Sequence, residues 1–334
     1  MNKYIKNFTV FFLLIITVFF NSCSFTDSGK KIVRVSHNQS AEHPTNIGLE
    51  KFAEFINNSE IGNKFEVKVY PSELLGSQKD TLELTQTGAI DIMVASNAIL
   101  ESFNKDYGIF NLPYLFPSEE VYHKVMDDKD ITENLFKSTR GSGFECVTWL
   151  DAGTRNFYTV DKPIKSPKDL KGLKIRVQQS ATNIKMMSLL GGSATPMGFG
   201  EVYTALQAKV IDGAENNELA LTTNKHGEVC KYYSYDYHQM VPDLIIANSA
   251  FLAGLDEKER KIFEEGFEIA SKTQREAWGD AVEAAIKESK EKMNVEFFYP
   301  DVQEFKKMIL PLHDEVLKAN PNIKEIYDKI MAYK

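Results

Sequence analysis

The residues best suited to chemistry lie within the stretch 172–227. In Lys174-Ile175-Arg176-Val177 apolar residues alternate with basic ones, the pattern of a strand with one face in a core. Ile175 and Val177 then point inward, and Arg176 points to the opposite side, where a ligand would sit. Phe199 follows at a turn and Asn216 after a second strand. An arginine, an aromatic ring and an amide brought together suit a grip on a small anion. A guanidinium offers paired donors that match a carboxylate fork, whereas a lysine acts as a mobile point charge. Taken by itself, a single arginine on a half-buried strand is more often a solvated side chain.

The segments that must position these groups alternate strand and helix from the start: strand 32–35, helix 44–57, strand 65–70, helix 78–87, strand 90–94. Pro44 suits a first helical turn, Ser77 a cap and Gly88 a terminator. This rhythm predicts an α/β fold, a mostly parallel sheet with helices on both faces. Ligands of such sheets collect beyond the carboxyl ends of the strands, so the loops 36–43, 71–78 and 95–97 are expected to face one. A packed connector at 110–117, helical turns over 118–138, and strands at 144–150 and 241–251 follow. Residues 256–293 carry an apolar stripe at helical spacing. A helix of that length spans roughly 55 Å at about 1.5 Å per residue, too long for one lobe. The run 232–238, rich in tyrosine, fits either a cleft lining or a core.

The chain has 334 residues, 43% of them hydrophobic and 26% charged, which fits a globular chain of two domains. Its formal net charge is -8, and no basic cluster is long enough to track phosphates, which excludes a nucleic-acid partner. An acidic protein that binds an anion must do so through local arginines. Lys3 and Lys6 precede an apolar run at 8–20, the length of a signal-peptide core rather than of a membrane span. That leader, residues 1–22, ends in Phe20-Asn21-Ser22-Cys23, which resembles a bacterial lipobox with Asn21 where Ala, Ser or Thr is usual. Cys23 is therefore the expected lipidation site and 23–31 a tether, with an ordinary cleaved signal peptide as the alternative.

Cys146 and Cys230 share no metal or redox spacing and are expected to stay unpaired. The six histidines show no HExxH or similar spacing, a GxSxG elbow and a P-loop are absent, and the runs 141–143 and 198–200 lack the third glycine of a dinucleotide loop. The expectation is a protein without metal or cofactor, and not an enzyme.

The runs LKIRVQQSATN, ATPMGFGEVYTALQ and VIDGAENN resemble the central signature of solute-binding proteins of tripartite ATP-independent periplasmic (TRAP) transporters, the DctP-like family. The usual form there is close to LKxRVPxS, PTPMAFSEVYTALQ and VDGQENP, and a weaker likeness extends from about Ile32 to the C-terminus. The resemblance implies a two-domain clamshell like that of periplasmic binding proteins, with mixed sheets and a long helix under both domains. Residues 32–153 plus 242–281 would form the first domain and 154–241 plus 282–334 the second.

It further implies a site for an organic acid. Arg176 would grip the ligand carboxylate, and Arg155, at the interdomain crossing, would make a second contact to it or to a neighbouring hydroxyl; an interdomain salt bridge is the alternative for Arg155. Gln179 and Phe199 would flank the anion, Asn216 would bond it, and Asn38, Gln78 and Ser96 would reach the ligand from the first domain. Gln78 and Ser96 are neutral where sialic-acid-specific members are acidic. That points to a hydroxylated monocarboxylate such as a uronate or aldonate, with a C4-dicarboxylate as runner-up. The implied role is capture in the periplasm, or at the outer face of the cytoplasmic membrane, and delivery to the transporter's membrane subunits; delivery to a sensor is the other reading.

Overall fold

The computed structural model describes residues 29–333, so the leader and Cys23 lie outside the described residues. Strands β1 (Lys31–Ser36), β2 (Phe65–Tyr70), β3 (Ile92–Ser96) and β4 (Phe144–Leu150) come before the chain crosses to a second sheet. That sheet takes β5 (Arg155–Thr159), β6 (Lys174–Val177), β7 (Ser193–Pro196), β8 (Gly213–Asn216) and β9 (Tyr232–Gln239). The chain then returns for β10 (Asp243–Asn248), and β11 (Glu296–Phe298) completes the second sheet. The helices that matter below are α1 (Pro44–Asn58), α2 (Gln78–Thr87), α3 (Ala181–Leu189), α4 (Glu257–Glu291) and α5 (Lys324–Ala332).

The strand order is β2-β1-β3-β10-β4 in the first sheet and β11-β9-β5-β8-β6-β7 in the second. β1 pairs in parallel with β2 and β3, as the alternation of strand and helix predicts. β10 is antiparallel to both neighbours, so this sheet is mixed rather than mostly parallel. The expected strand 241–251 is also shorter. Asn248 accepts from Phe251 N at 2.7 Å and caps a helical turn, Ser249–Ala253, which ends the strand.

Val33, Val35, Val67 and Ile92 alternate into a core shared with Phe52 and Ile56 of α1 and Phe263 and Phe267 of α4. The α1–α4 approach is close enough that a Cβ on Gly48 would lie 2.5 Å from the Ala270 carbonyl oxygen. An Asp256–Glu259 capping box starts α4. Further along the same helix, Trp278 and Ala285 pack with Leu219 of the second lobe. At 35 residues, roughly 52 Å, α4 therefore underlies both lobes, as its length requires.

The C-terminal segment departs from the domain division expected for 282–334. Phe305, Ile309 and Leu312 join a core of the second lobe, but Ile323 and Ile330 are buried with Leu82, Met93 and Leu135 of the first. Asn320 donates to Asp106 at 2.8 Å where the chain passes back. An amphipathic helix shows which face is buried, not which lobe receives it. Cys146 and Cys230 are both buried and unpaired. No helix among the described residues is long and apolar enough to cross a membrane.

Candidate ligand-binding site

β6 carries Arg176 between Ile175 and Val177, both fully buried in a core of the second lobe. Arg176 is only 4% exposed, so it is shielded from bulk water. Its Nε and Nη2 donate to the Met197 carbonyl at 3.2 and 2.9 Å, and the guanidinium stands 5.6 Å from the centre of the Phe199 ring. Among the described residues it has no ion-pair partner. Burial pulls its pKa down and the charge of Glu215 opposes that pull, but an arginine stays charged. An enclosed cation without a counter-ion is costly, and an anion from outside relieves the cost.

Arg155 lies at the start of β5 and is held within its own lobe. Its Nε pairs with Glu215, Nη1 donates to Asn216 Oδ1 at 3.0 Å and Nη2 to the Glu215 carbonyl at 2.7 Å. Three of its five N–H donors are thus committed. The ion pair is within one lobe, not the interdomain bridge weighed as its alternative role. Burial works against the Glu215 charge, but Arg155 and His238 outweigh it and hold the carboxyl at about 2. His238 sits between Asp236 (Nδ1, 2.9 Å) and Glu215 (Nε2, 3.5 Å). Burial opposes its charge too, yet the two carboxylates raise it to about 9. Arg155 and His238 are thus held by Glu215 and Asp236, whereas Arg176 has no ion pair of its own among the described residues.

Around Arg176 the second lobe supplies Phe199, 9% exposed, and Asn216, 7% exposed, whose Oδ1 is taken by Arg155 and the Asn217 N–H. Gln179 is exposed instead of flanking the anion. The residue before it, Gln178, is buried, donates to Ser96 Oγ of the first lobe at 2.7 Å and accepts from Asn183 Nδ2 at 3.2 Å. The period of two places residue 178, not 179, on the same side as Arg176, so the alternation already contained this signal. The tyrosine-rich run belongs mainly to packing: Tyr233 is fully buried against Tyr158, Asp236 and His238 form the charge network, and Tyr237 is exposed.

From the first lobe, Ser96 ends β3, Gln78 begins α2 half-buried, and Asn38 follows β1 with a buried Oδ1 that lacks a partner. Ser40 Oγ and Glu73 Oε1 are likewise buried and unpartnered. Sequence reasoning passed over Glu73 and also Glu101. Glu101 accepts from Thr182 Oγ1 at 2.8 Å and from Ser180 Oγ, so a first-lobe carboxylate meets the N-terminus of α3 in the second lobe. The assembled groups are a buried guanidinium in one lobe and neutral and acceptor groups in the other, an arrangement suited to a hydroxylated anion.

The model of the DctP family, bacterial extracellular solute-binding protein family 7, matches residues 35–320. The chain belongs to this family. This solute-binding protein is similar to a TRAP periplasmic solute-binding protein from Anaerococcus prevotii solved with bound D-glucuronate. The two are 60% identical with a TM-score of 0.90, over 91% of this chain and 98% of that one. A second TRAP protein, from Sulfitobacter sp. NAS-14.1 with bound β-D-galacturonate, is 30% identical with a TM-score of 0.85, over 89% and 98%. The C4-dicarboxylate-binding periplasmic protein DctP of Rhodobacter capsulatus is 29% identical over 85% of this chain and 86% of its own length. The family is one of transport and not of catalysis, and the clamshell architecture is that of these relatives.

Two other features of this solute-binding protein do not compete with the cleft. A groove of about 630 Å³ lies over edge strand β4, but Arg140, Arg275 and Arg260 along it pair with Glu145, Asp127 and Glu264. Glu119, His123 and Asp151 stand together as candidate metal ligands, yet both Asp151 oxygens are already bonded, to His123 and to the Gly153 N–H.

Proposed function

We propose that this solute-binding protein captures a uronate, with D-glucuronate as the leading candidate, outside the cytoplasmic membrane and delivers it to the transporter's membrane permease. The observation that carries the reading is Arg176, buried, charged and without a counter-ion beside the cleft. Its paired donors suit the ligand carboxylate, and Phe199 supplies an apolar wall. Asn216 and the remaining donors of Arg155 serve the same head group. Asn38, Gln78 and Ser96 offer neutral polar groups to the hydroxylated end. The uronates bound to two of the similar proteins support this choice.

A C4-dicarboxylate would need a second cation at its far end. Arg155 and Arg176 are the only buried arginines or lysines among the described residues, and Arg155 is already paired. Ligand joining both lobes favours the closed form, because contacts to both exist only there. The same reading gives Cys23 a lipid anchor that keeps the protein at the membrane.

A thermal-shift series with D-glucuronate, D-galacturonate and succinate tests the proposal, since a ligand that binds only the folded state raises Tm. The uronates should shift the parent and leave Arg176→Ala unmoved. Equal shifts in both proteins would refute the anchor. For the lipid, Cys23→Ala should release the protein from membranes; retention there would count against acylation.

A further inference from the structure

The loop after β2 presents a carboxylate to the opposite lobe. Ser72 and Glu73 both adopt left-handed backbone, with φ of 56° and 57°, which non-glycine residues seldom do. Two hydrogen bonds hold the loop there, Ser72 N to the Gln39 carbonyl at 2.8 Å and Glu73 N to the His37 carbonyl at 3.1 Å. Strain kept in place by surrounding structure is common where a side chain must be aimed.

The aim is at Gly200, in the turn that carries Phe199. The Glu73 carboxylate lies against the Gly200 backbone, whose N–H favours its charged form against the burial that raises its pKa. A Cβ on Gly200 would lie 2.2 Å from Glu73 Oε2 and 3.1 Å from its Cδ, so the carboxylate occupies room that only glycine leaves. Its other oxygen, Oε1, is buried with no hydrogen-bond partner. Glu73 feels the charge of Arg176 but forms no ion pair with it, so the two groups stand apart beside the same space.

We propose that Glu73 is a specificity-determining residue: Oε1 accepts a hydrogen bond from a ligand hydroxyl, and its charge rejects a second ligand carboxylate at that end. This rests on the reading that Arg176 takes the ligand's one carboxylate. An ionised carboxylate only accepts, so it rewards a hydroxyl donor with a charge-assisted bond. A like charge brought into the same enclosed space is repelled, which separates hydroxylated monocarboxylates from dicarboxylates. Because Glu73 belongs to one lobe and Gly200 to the other, the arrangement exists only in the closed form, and reading the hydroxyl is coupled to closure.

Calorimetric titration of D-glucuronate, D-galacturonate and succinate into the parent, Glu73→Gln, Gly200→Ala and Arg176→Ala tests this, with Tm measured on each unliganded protein. Glu73→Gln should weaken uronate binding roughly ten- to a hundred-fold, the range for a hydrogen bond to a charged group, and should tighten succinate. Gly200→Ala should displace the carboxylate and reproduce both changes with no residue of the anchor altered. Arg176→Ala should lose uronate binding altogether. Parent-like uronate affinity and succinate rejection in Glu73→Gln, with Arg176→Ala inactive, would overturn the role of Glu73 alone. Parent-like binding by Arg176→Ala, or a parent that binds neither uronate, would overturn the anchor, and the role of Glu73 with it.

Discussion

Gln178 of the second lobe donates to Ser96 of the first across 2.7 Å, and both side chains are buried. One residue follows directly on β6, the strand that carries Arg176, and the other ends the central strand β3. The bond thus joins the two lobes directly, next to the strand that carries Arg176. Ser96→Ala should weaken closure, and scattering reads that effect apart from the loss of the hydroxyl proposed to face the ligand and of the long cap bond to Ala98 N. A single neutral bond contributes about 1 kcal/mol, so ligand affinity should fall roughly five-fold, with Tm of the unliganded protein nearly unchanged. Calorimetry beside small-angle scattering reads both quantities, and an unaltered affinity would show the contact to be incidental.

Replacing the anchor by lysine separates charge from geometry. Arg176→Lys keeps the positive charge but loses the planar fork, the second bond to the Met197 carbonyl and the stacking on Phe199. Uronate affinity should drop at least about ten-fold, as when a bidentate contact becomes a single one. Affinity equal to that of the parent would mean that the site needs only a charge.

The charge network predicts a pH profile with two edges. Glu215 is held at about 2, below its unfolded value, so its contribution is full above that unfolded value and is lost as pH falls toward 2. His238 is raised to about 9, so its contribution is full below about 6.5 and fades as pH rises through 9. Stability from denaturant titrations should therefore decline on both sides of pH 5–6.5. His238→Gln should flatten the alkaline edge and move the acid one upward, because Glu215 then keeps only Arg155 to hold its charge. Glu215→Gln removes the ion-pair partner of buried Arg155 and leaves His238 with Asp236 alone, and should cost about 3–5 kcal/mol near neutrality.

Gly48→Ala probes the scaffold apart from the site. The added methyl would press on the Ala270 carbonyl of α4 at 2.5 Å, and overpacking of this kind costs about 1–3 kcal/mol. Scanning calorimetry should record a lower Tm, while uronate affinity of the folded protein stays within about two-fold. An unchanged Tm would mean that α1 and α4 separate freely.

Much of this was legible before any coordinates. Val33 and Val35, with Val67 opposite, announce a strand pair by period alone, and the apolar stripe along α4 announces a helix longer than one lobe. The motif around Arg176 singled out a residue that the fold buries without an ion-pair partner among the described residues. What escaped depends on contacts between distant segments. Glu215 stands inside a run that the resemblance singled out, yet only the β5–β8 register, Phe157 against Glu215, brings it to Arg155. Glu73 escaped because its direction follows from two left-handed residues with no glycine to mark them. Ile323 and Ile330 escaped because a buried face does not name its partner.

The return of α5 to the first lobe means that the first described strand and the last described helix share one rigid body. Anything fused near either position, a dye or an affinity tag, will ride with that body and stay silent while the clamshell shuts. A reporter pair with one dye there and one at exposed Val210 or Ile184, on the other half, would register each capture as a change in distance.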